Sequence, residues 1–192
     1  HKGRLRLPER KTPRRLLVPA PAVDRHLLAA QEAETLAASG GQGLILCPSA
    51  KDVSDVMSFF SSGAVRLDAT CPAGSWTAFR DGVATVGVGT RSAALYSAEK
   101  LSGIIVLDEA AAGHQELSQP YTNARDLASA RSRAARCPLT LISTVPTAQA
   151  VAACSGHLPV GSSAAWPAVK AFDRFENGPS GAAVPESMAR AI

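Results

Sequence analysis

Aromatic side chains make up only 5% of this 192-residue chain. A surface that binds through stacked rings needs exposed Phe, Tyr or Trp, so base stacking is not the expected mode of any nucleic-acid contact. No run approaches the ~18–20 apolar residues of a membrane-spanning helix, which excludes a helical integral membrane protein. Cys47, Cys71, Cys137 and Cys154 form no C-x-x-C pair and have no His at ligand spacing, so neither a zinc site nor any other metal is expected. Cys47 and Cys137 lie in or beside apolar runs and read as reduced core residues of a cytoplasmic protein. The chain also lacks an initiating Met. It opens at His1 with basic, Pro-containing residues and no apolar leader, and is expected to be a segment of a longer protein without a secretory signal.

What is present suits one globular domain. Hydrophobic residues reach 46%, enough for a core, although many are alanine. The net charge of +4 is unevenly placed. Residues 1–15 hold Lys2, Arg4, Arg6, Arg10, Lys11, Arg14 and Arg15 against Glu9, giving +6, while the remainder carries −2. Such an arm can follow a phosphate backbone, but a solvated linker is the preferred reading.

From residue 15 short apolar runs alternate with helical stretches. Strands are predicted at Arg15–Val18, Leu44–Cys47, Ala64–Leu67, Ala84–Val88, Gly103–Leu107, Leu139–Ser143 and Val169–Phe172. Helices are predicted at Ala22–Ser39, at Ser49–Phe60 with Ser49 as N-cap and Asp52 at the third helical position, near 72–81, 122–136 and 146–154, and from Pro185. In the fifth of these, Ser143 or Thr144 is the expected cap ahead of Pro146. Residues 156–167 and 176–185 read as connectors. Runs such as Ile104–Leu107 and Leu139–Ile142 do not alternate in polarity, the pattern of strands covered on both faces. The predicted fold class is therefore α/β, with a mostly parallel twisted sheet and helices on both sides.

In such folds chemistry gathers beyond the C-terminal ends of the strands. Asp108-Glu109 follows an apolar strand in the manner of a Walker B pair, with the Asp on Mg²⁺ and the Glu polarising the attacking water; ordinary turn chemistry produces the same pair. Gly87-Val-Gly-Thr-Arg-Ser92 follows another strand. Its glycines allow close approach to a ligand and Thr90 and Arg91 are natural phosphate donors, while a surface turn with a solvated Arg explains it equally. Trp76, Phe79 and Phe59 fall at core-like helical spacing and are expected to be buried. Arg131, Arg133 and Arg136 read as a solvated helix face.

Taken together, Gly89-Thr-Arg-Ser-Ala93, Leu101–Glu109, Asn123-Ala-Arg-Asp-Leu-Ala128 and Ser143-Thr-Val-Pro146 resemble, in order and interval, the first motor lobe of the primosomal protein N′ (PriA) family of replication-restart helicases, in helicase superfamily 2. Trp166–Arg174 and Val184–Ile192 resemble that family's passage into its second lobe. The resemblance implies a basic linker at 1–14, a three-layer RecA-like lobe at 15–166, and at 167–192 a strand and helix leading toward a second lobe. It also implies cytoplasmic, nucleoid-associated work on single-stranded or forked DNA with other primosome proteins and the remainder of the chain as partners. Thr90 and Arg91 match the element that grips the single-strand backbone. Ser49 follows Pro48 where a first backbone-contacting loop lies, and its helix N-terminus offers N–H groups to a phosphate. Arg125 and Asp126 are equally explained by a structural ion pair.

The departures concern the nucleotide. A phosphate loop needs glycines, a Lys and a Ser/Thr. Val18-Pro-Ala-Pro-Ala-Val-Asp-Arg-His26 has none of them, two prolines remove N–H donors, Asp24 repels phosphate, and Arg25 could mimic only the Lys charge. The family's Asp-Glu-Glu-His reads Asp108-Glu-Ala-Ala111, its Gly-Ser-Ala-Thr-Pro reads Ile142-Ser-Thr-Val-Pro146, and its aromatic loop reads Ala112–Pro120. The expected protein is thus a degenerate lobe with no cofactor, leaving Asp108 and Glu109 as residual Walker B-like residues. The alternatives are an active ATP-dependent 3′–5′ helicase lobe using ATP and Mg²⁺ at an atypical site, and a structural domain without DNA binding.

Overall fold

The computed structural model describes residues 13–154 and 158–161. The strands predicted from unbroken apolar runs are present as β1 (Arg14–Pro19), β2 (Gln42–Leu46), β3 (Ala64–Arg66), β4 (Val86–Gly89), β5 (Leu101–Leu107) and β6 (Leu139–Ile142). A seventh, β7 (Leu158–Val160), lies where a connector was expected and pairs with β1. Three residues with a central Pro carry no periodicity to recognise. Pro is tolerated here because β7 is the edge strand of the order β3-β4-β2-β5-β6-β1-β7. All the strand pairings are parallel. Residues 1–12 of the predicted basic linker (1–14), the strand at 169–172 and the helix from 185 lie outside the described residues, while Arg14 and Arg15 of the basic arm belong to β1.

The apolar runs divide between two cores. Leu16, Leu44, Leu46, Ile104, Val106, Leu139 and Leu141 point to one face, with Phe79 of α3 (Ser75–Arg80), Ala124 and Ala128 of α4 (Ala124–Ala135) and Ala150 of α5 (Ala148–Ala153). Leu17, Ile45, Cys47, Ile105, Leu107 and Ile142 point to the other, against Ala29 and Ala33 of α1 (Arg25–Ala38) and Val53 and Val56 of α2 (Ala50–Met57). Each fully buried Leu or Ile contributes about 1.5–3 kcal/mol. Cys47 and Cys137 are buried free thiols, as expected.

Several expectations need correction. Gly87 and Gly89 meet neither a ligand nor solvent, because both are buried in β4. A Cβ on Gly87 would lie 2.6 Å from Leu67 Cδ1, and one on Gly89 2.6 Å from Leu67 O. Of the three aromatic residues, only Phe79 is buried. Trp76 and Phe59 are 41% and 40% exposed: α3 is short and turns only Ser75 and Phe79 inward, and Phe59 lies beyond the C-terminal end of α2. The Arg80 guanidinium covers the Trp76 ring at 4.9 Å. The cap of α5 is Thr147, whose hydroxyl accepts from Ala150 N at 3.2 Å, rather than Ser143 or Thr144. Helix α1 starts at Arg25, not Ala22, because Pro19 and Pro21 keep the chain extended or turning until Asp24 caps it.

Arg131 also departs from the solvated face to which Arg133 and Arg136 belong. Its Nη1 donates to Ala93 O at 3.1 Å and Ala94 O at 2.8 Å, fastening α4 to the 3-10 turn Arg91–Leu95. Arg131→Ala leaves both carbonyls without this donor and is expected to lower stability by about 1–3 kcal/mol in urea denaturation, with Arg133→Ala near neutral.

Candidate functional site

The loops after β1, β2, β4, β5 and β6 all open at the C-terminal edge of the sheet, and every site residue read from the sequence lies in one of them. At the β1–α1 junction the available N–H groups are largely used within the chain. Ala20 N donates to Val160 O at 2.8 Å and Val23 N to Ala20 O at 2.9 Å. His26 N and Leu27 N donate to Asp24 Oδ1 at 2.8 and 3.3 Å. A carboxylate therefore sits where an anion at the start of α1 would be held.

Arg25, the next residue, turns to the acidic pair. Its Nε lies 2.7 Å from Asp108 Oδ2, an ion pair whose N–H is not aligned as a hydrogen bond. Burial pushes the Asp108 carboxyl above its ordinary value; Arg25 opposes this and the Asp52 charge adds to it. Asp108 has a left-handed φ of 50°, which Asp tolerates better than most residues. Its neighbour Glu109 is buried with a complete set of partners: Thr147 N at 2.7 Å, Thr147 Oγ1 at 3.1 Å and Arg125 Nη1 at 3.3 Å. The side chains of Asp108 and Glu109 thus diverge, one toward α1 and the other toward the start of α5.

Behind them His114 is fully buried. Its Nε2 donates to Leu107 O at 2.7 Å, while Nδ1 has no partner. Burial lowers its pKa, against the bond to Leu107 and the charges of Asp108, Glu109 and Asp52.

Ser49 caps α2 as its sequence predicted, accepting from Asp52 N at 3.2 Å, and its hydroxyl donates to Asp52 Oδ2. The first turn of α2 therefore already holds a carboxylate. Burial acts to raise the Asp52 pKa, but hydrogen bonds from Ser49 and His26 outweigh it and hold the group below its ordinary value. Ionising lower in the fold than unfolded, Asp52 contributes stability above its unfolded pKa that is lost as pH falls through the folded value.

Thr90 precedes the 3-10 turn, and Arg91 opens it with its guanidinium paired to Glu116. Glu116 in turn lines an open cleft of about 430 Å³ with Leu117, Tyr121, Asn123 and Arg125. Leu117 and Tyr121 are exposed there.

The edge brings Arg25 to Asp108 and Arg125 to Glu109 but keeps Ser49 in one loop and Thr90 and Arg91 in another. Sequence reasoning named Arg125 yet missed its partners Glu109 and Thr147. It missed Glu116 and the His26–Asp52 contact altogether, since only the crossover of strands brings them together. Glu109→Ala, which leaves the partly buried Arg125 and the Thr147 amide unpaired, is expected to cost about 3 kcal/mol in denaturant unfolding, with Glu109→Gln costing less.

Among the described residues, seven parallel strands in this order, with helices on both faces, define a RecA-like α/β fold. Among solved structures, T4 UvsW matches 76% of this chain and 31% of its own at 13% identity and a TM-score of 0.51. A second structure, the UvsW helicase from Bacteriophage T4, matches 77% and 53% at 14% identity and 0.51. The C-terminal domain of the DEAD-box protein Dbp5 matches 77% of this chain and 89% of its own at 13% identity and 0.50. The chain thus spans about a third to a half of the UvsW chains, and identities this low speak for the fold alone. No protein-family model and no curated protein matches the sequence. No described helix is long and apolar enough to cross a membrane.

Proposed function

We propose that this chain is a degenerate helicase motor lobe of a primosomal replication-restart protein. It does not bind or hydrolyse ATP, and it serves in binding single-stranded or forked DNA or as a scaffold. The observation that carries this reading is that the groups a nucleotide would need are engaged with one another. Asp24 caps α1, Arg25 is paired with Asp108, and Glu109 is satisfied by Arg125 and Thr147. An active motor would need a free loop amide cradle, an Asp108 open to Mg²⁺ and a Glu109 open to water. Prolines at 19 and 21 and internal bonds at Ala20 and Val23 leave little of such a cradle.

The DNA-binding part rests on the sequence resemblance and on Arg91 lying beside an open cleft, held there by Glu116. A strand's phosphate would compete with that carboxylate for the guanidinium. Binding is accordingly weak and salt-sensitive, with Ser49, Thr90 and Arg91 as contacts and the basic arm as a second source of affinity.

Calorimetry with Mg²⁺-ATP is expected to show no binding; a micromolar dissociation constant would restore the active-motor reading. For DNA, Arg91→Ala should weaken single-strand binding and reduce the salt slope by about 0.7, one phosphate contact, while Glu116→Gln should strengthen binding. Binding unchanged by both substitutions removes Arg91 from the interface. No binding at low salt supports a structural domain.

A further inference from the structure

We propose that His26, Asp52 and Asp55, where the first turn of α1 meets α2, form a binding site for a divalent transition-metal ion of the Zn²⁺ type. His26 Nδ1 or Nε2 and one oxygen from each Asp all lie within 4.8 Å of one another, a span that small side-chain rotations close to a coordination shell. Asp52 and Asp55 stand three residues apart and so share a face of α2, and His26 approaches from α1.

The imidazole stands between two carboxylates. Its Nε2 lies 3.0 Å from Asp52 Oδ1, and its Nδ1 lies 3.5 Å from Asp24 Oδ1. A neutral ring has one N–H, so it cannot donate to both carboxylates. An ion bound at Nε2 takes the place of the ring proton that now reaches Asp52, and that proton passes to Nδ1 on the Asp24 side. Asp24 then backs the ring as an outer carboxylate does in metal sites, fixing its orientation.

The remaining groups fit the same reading. Ser49 donates to Asp52 Oδ2, so the oxygen turned toward the ion is Oδ1, which now faces His26 Nε2 at 3.0 Å and Arg25 Nη2 at 3.8 Å. Asp55 is otherwise engaged by Lys51, whose side chain is 84% exposed, a surface pair of little worth and easily displaced. Asp24, Asp52, Asp55 and Asp108 outnumber Arg25 and Lys51 around the site. The buried Cys47 thiol registers that excess, since Asp52, Asp108 and Asp68 add to burial in pushing its pKa up. One nitrogen and two carboxylate oxygens favour Zn²⁺, Co²⁺ or Mn²⁺ over Mg²⁺, and in a tetrahedral shell they leave a fourth position for water or an anionic oxygen. The site does not depend on whether the chain binds nucleotide or DNA.

The test is a titration of the full chain with Co²⁺ as a spectroscopic substitute, followed by displacement with Zn²⁺, in the absence of nucleotide. The expected result is one equivalent with visible d–d bands and no thiolate charge-transfer band. His26→Ala and Asp55→Asn should each abolish that binding or weaken it at least as much as Asp24→Asn, which keeps the helix cap and should cost about 10- to 100-fold. If His26→Ala fails to fold, Asp55→Asn on the outer turn of α2 decides. The proposal is overturned by wild-type affinity in Asp55→Asn, by thiolate bands marking the cysteines as ligands, or by no d–d bands at millimolar Co²⁺.

Discussion

Burial of both faces of one parallel sheet is the constraint from which the rest of the structure follows. A strand such as Ile104-Ile-Val-Leu107 must place alternate apolar side chains into two separate cores, and helices must then cover each. Apart from Arg14, Arg15, Gln42, Arg66, Ser102 and Thr140 the strands carry apolar side chains or glycine, so most polar groups collect in the loops at the strand ends. Five of those loops meet at one edge, which is why a single line of residues holds Asp24, Arg25, Ser49, Thr90, Arg91, Asp108 and Glu109.

Charges at such an edge have a low-dielectric body behind them and lose much of their hydration, so an unpaired one is costly. In this chain most of them are paired internally. Arg25 meets Asp108, Arg125 meets Glu109, Arg91 meets Glu116 and Arg66 meets Asp68. The exception is the corner between α1 and α2, where carboxylates outnumber cations and an imidazole stands between two of them.

The secondary structure was legible where a local rule operates. Unbroken apolar runs marked β1 to β6, and Ser49 with Asp52 marked the start of α2, because caps and strands are specified by neighbours in sequence. The resemblance correctly implied a RecA-like lobe. Legibility failed where distant packing decides. Strand β7 has only Leu158-Pro-Val160 and exists through its pairing with β1. Trp76 and Phe79 sit at the same helical spacing, yet α3 has room to bury one of them. Gly87 and Gly89 looked like a ligand loop but make room for Leu67, Phe79 and Ala93. Arg131 looked solvated until the 3-10 turn at 91–95 came under it.

By itself, then, the sequence determined that the chain is α/β, that its sheet is covered on both faces, that its acidic pair ends an apolar strand, and that the first loop has no glycine, lysine or hydroxyl for phosphate. These are properties of runs, spacings and single positions. The tertiary structure alone decided which charges neutralise which, that Asp108 and Glu109 face different partners, and that His26 meets Asp52. The order β3-β4-β2-β5-β6-β1-β7 brings together loops far apart in the chain, and electrostatic pairing depends on distance in space rather than along the sequence.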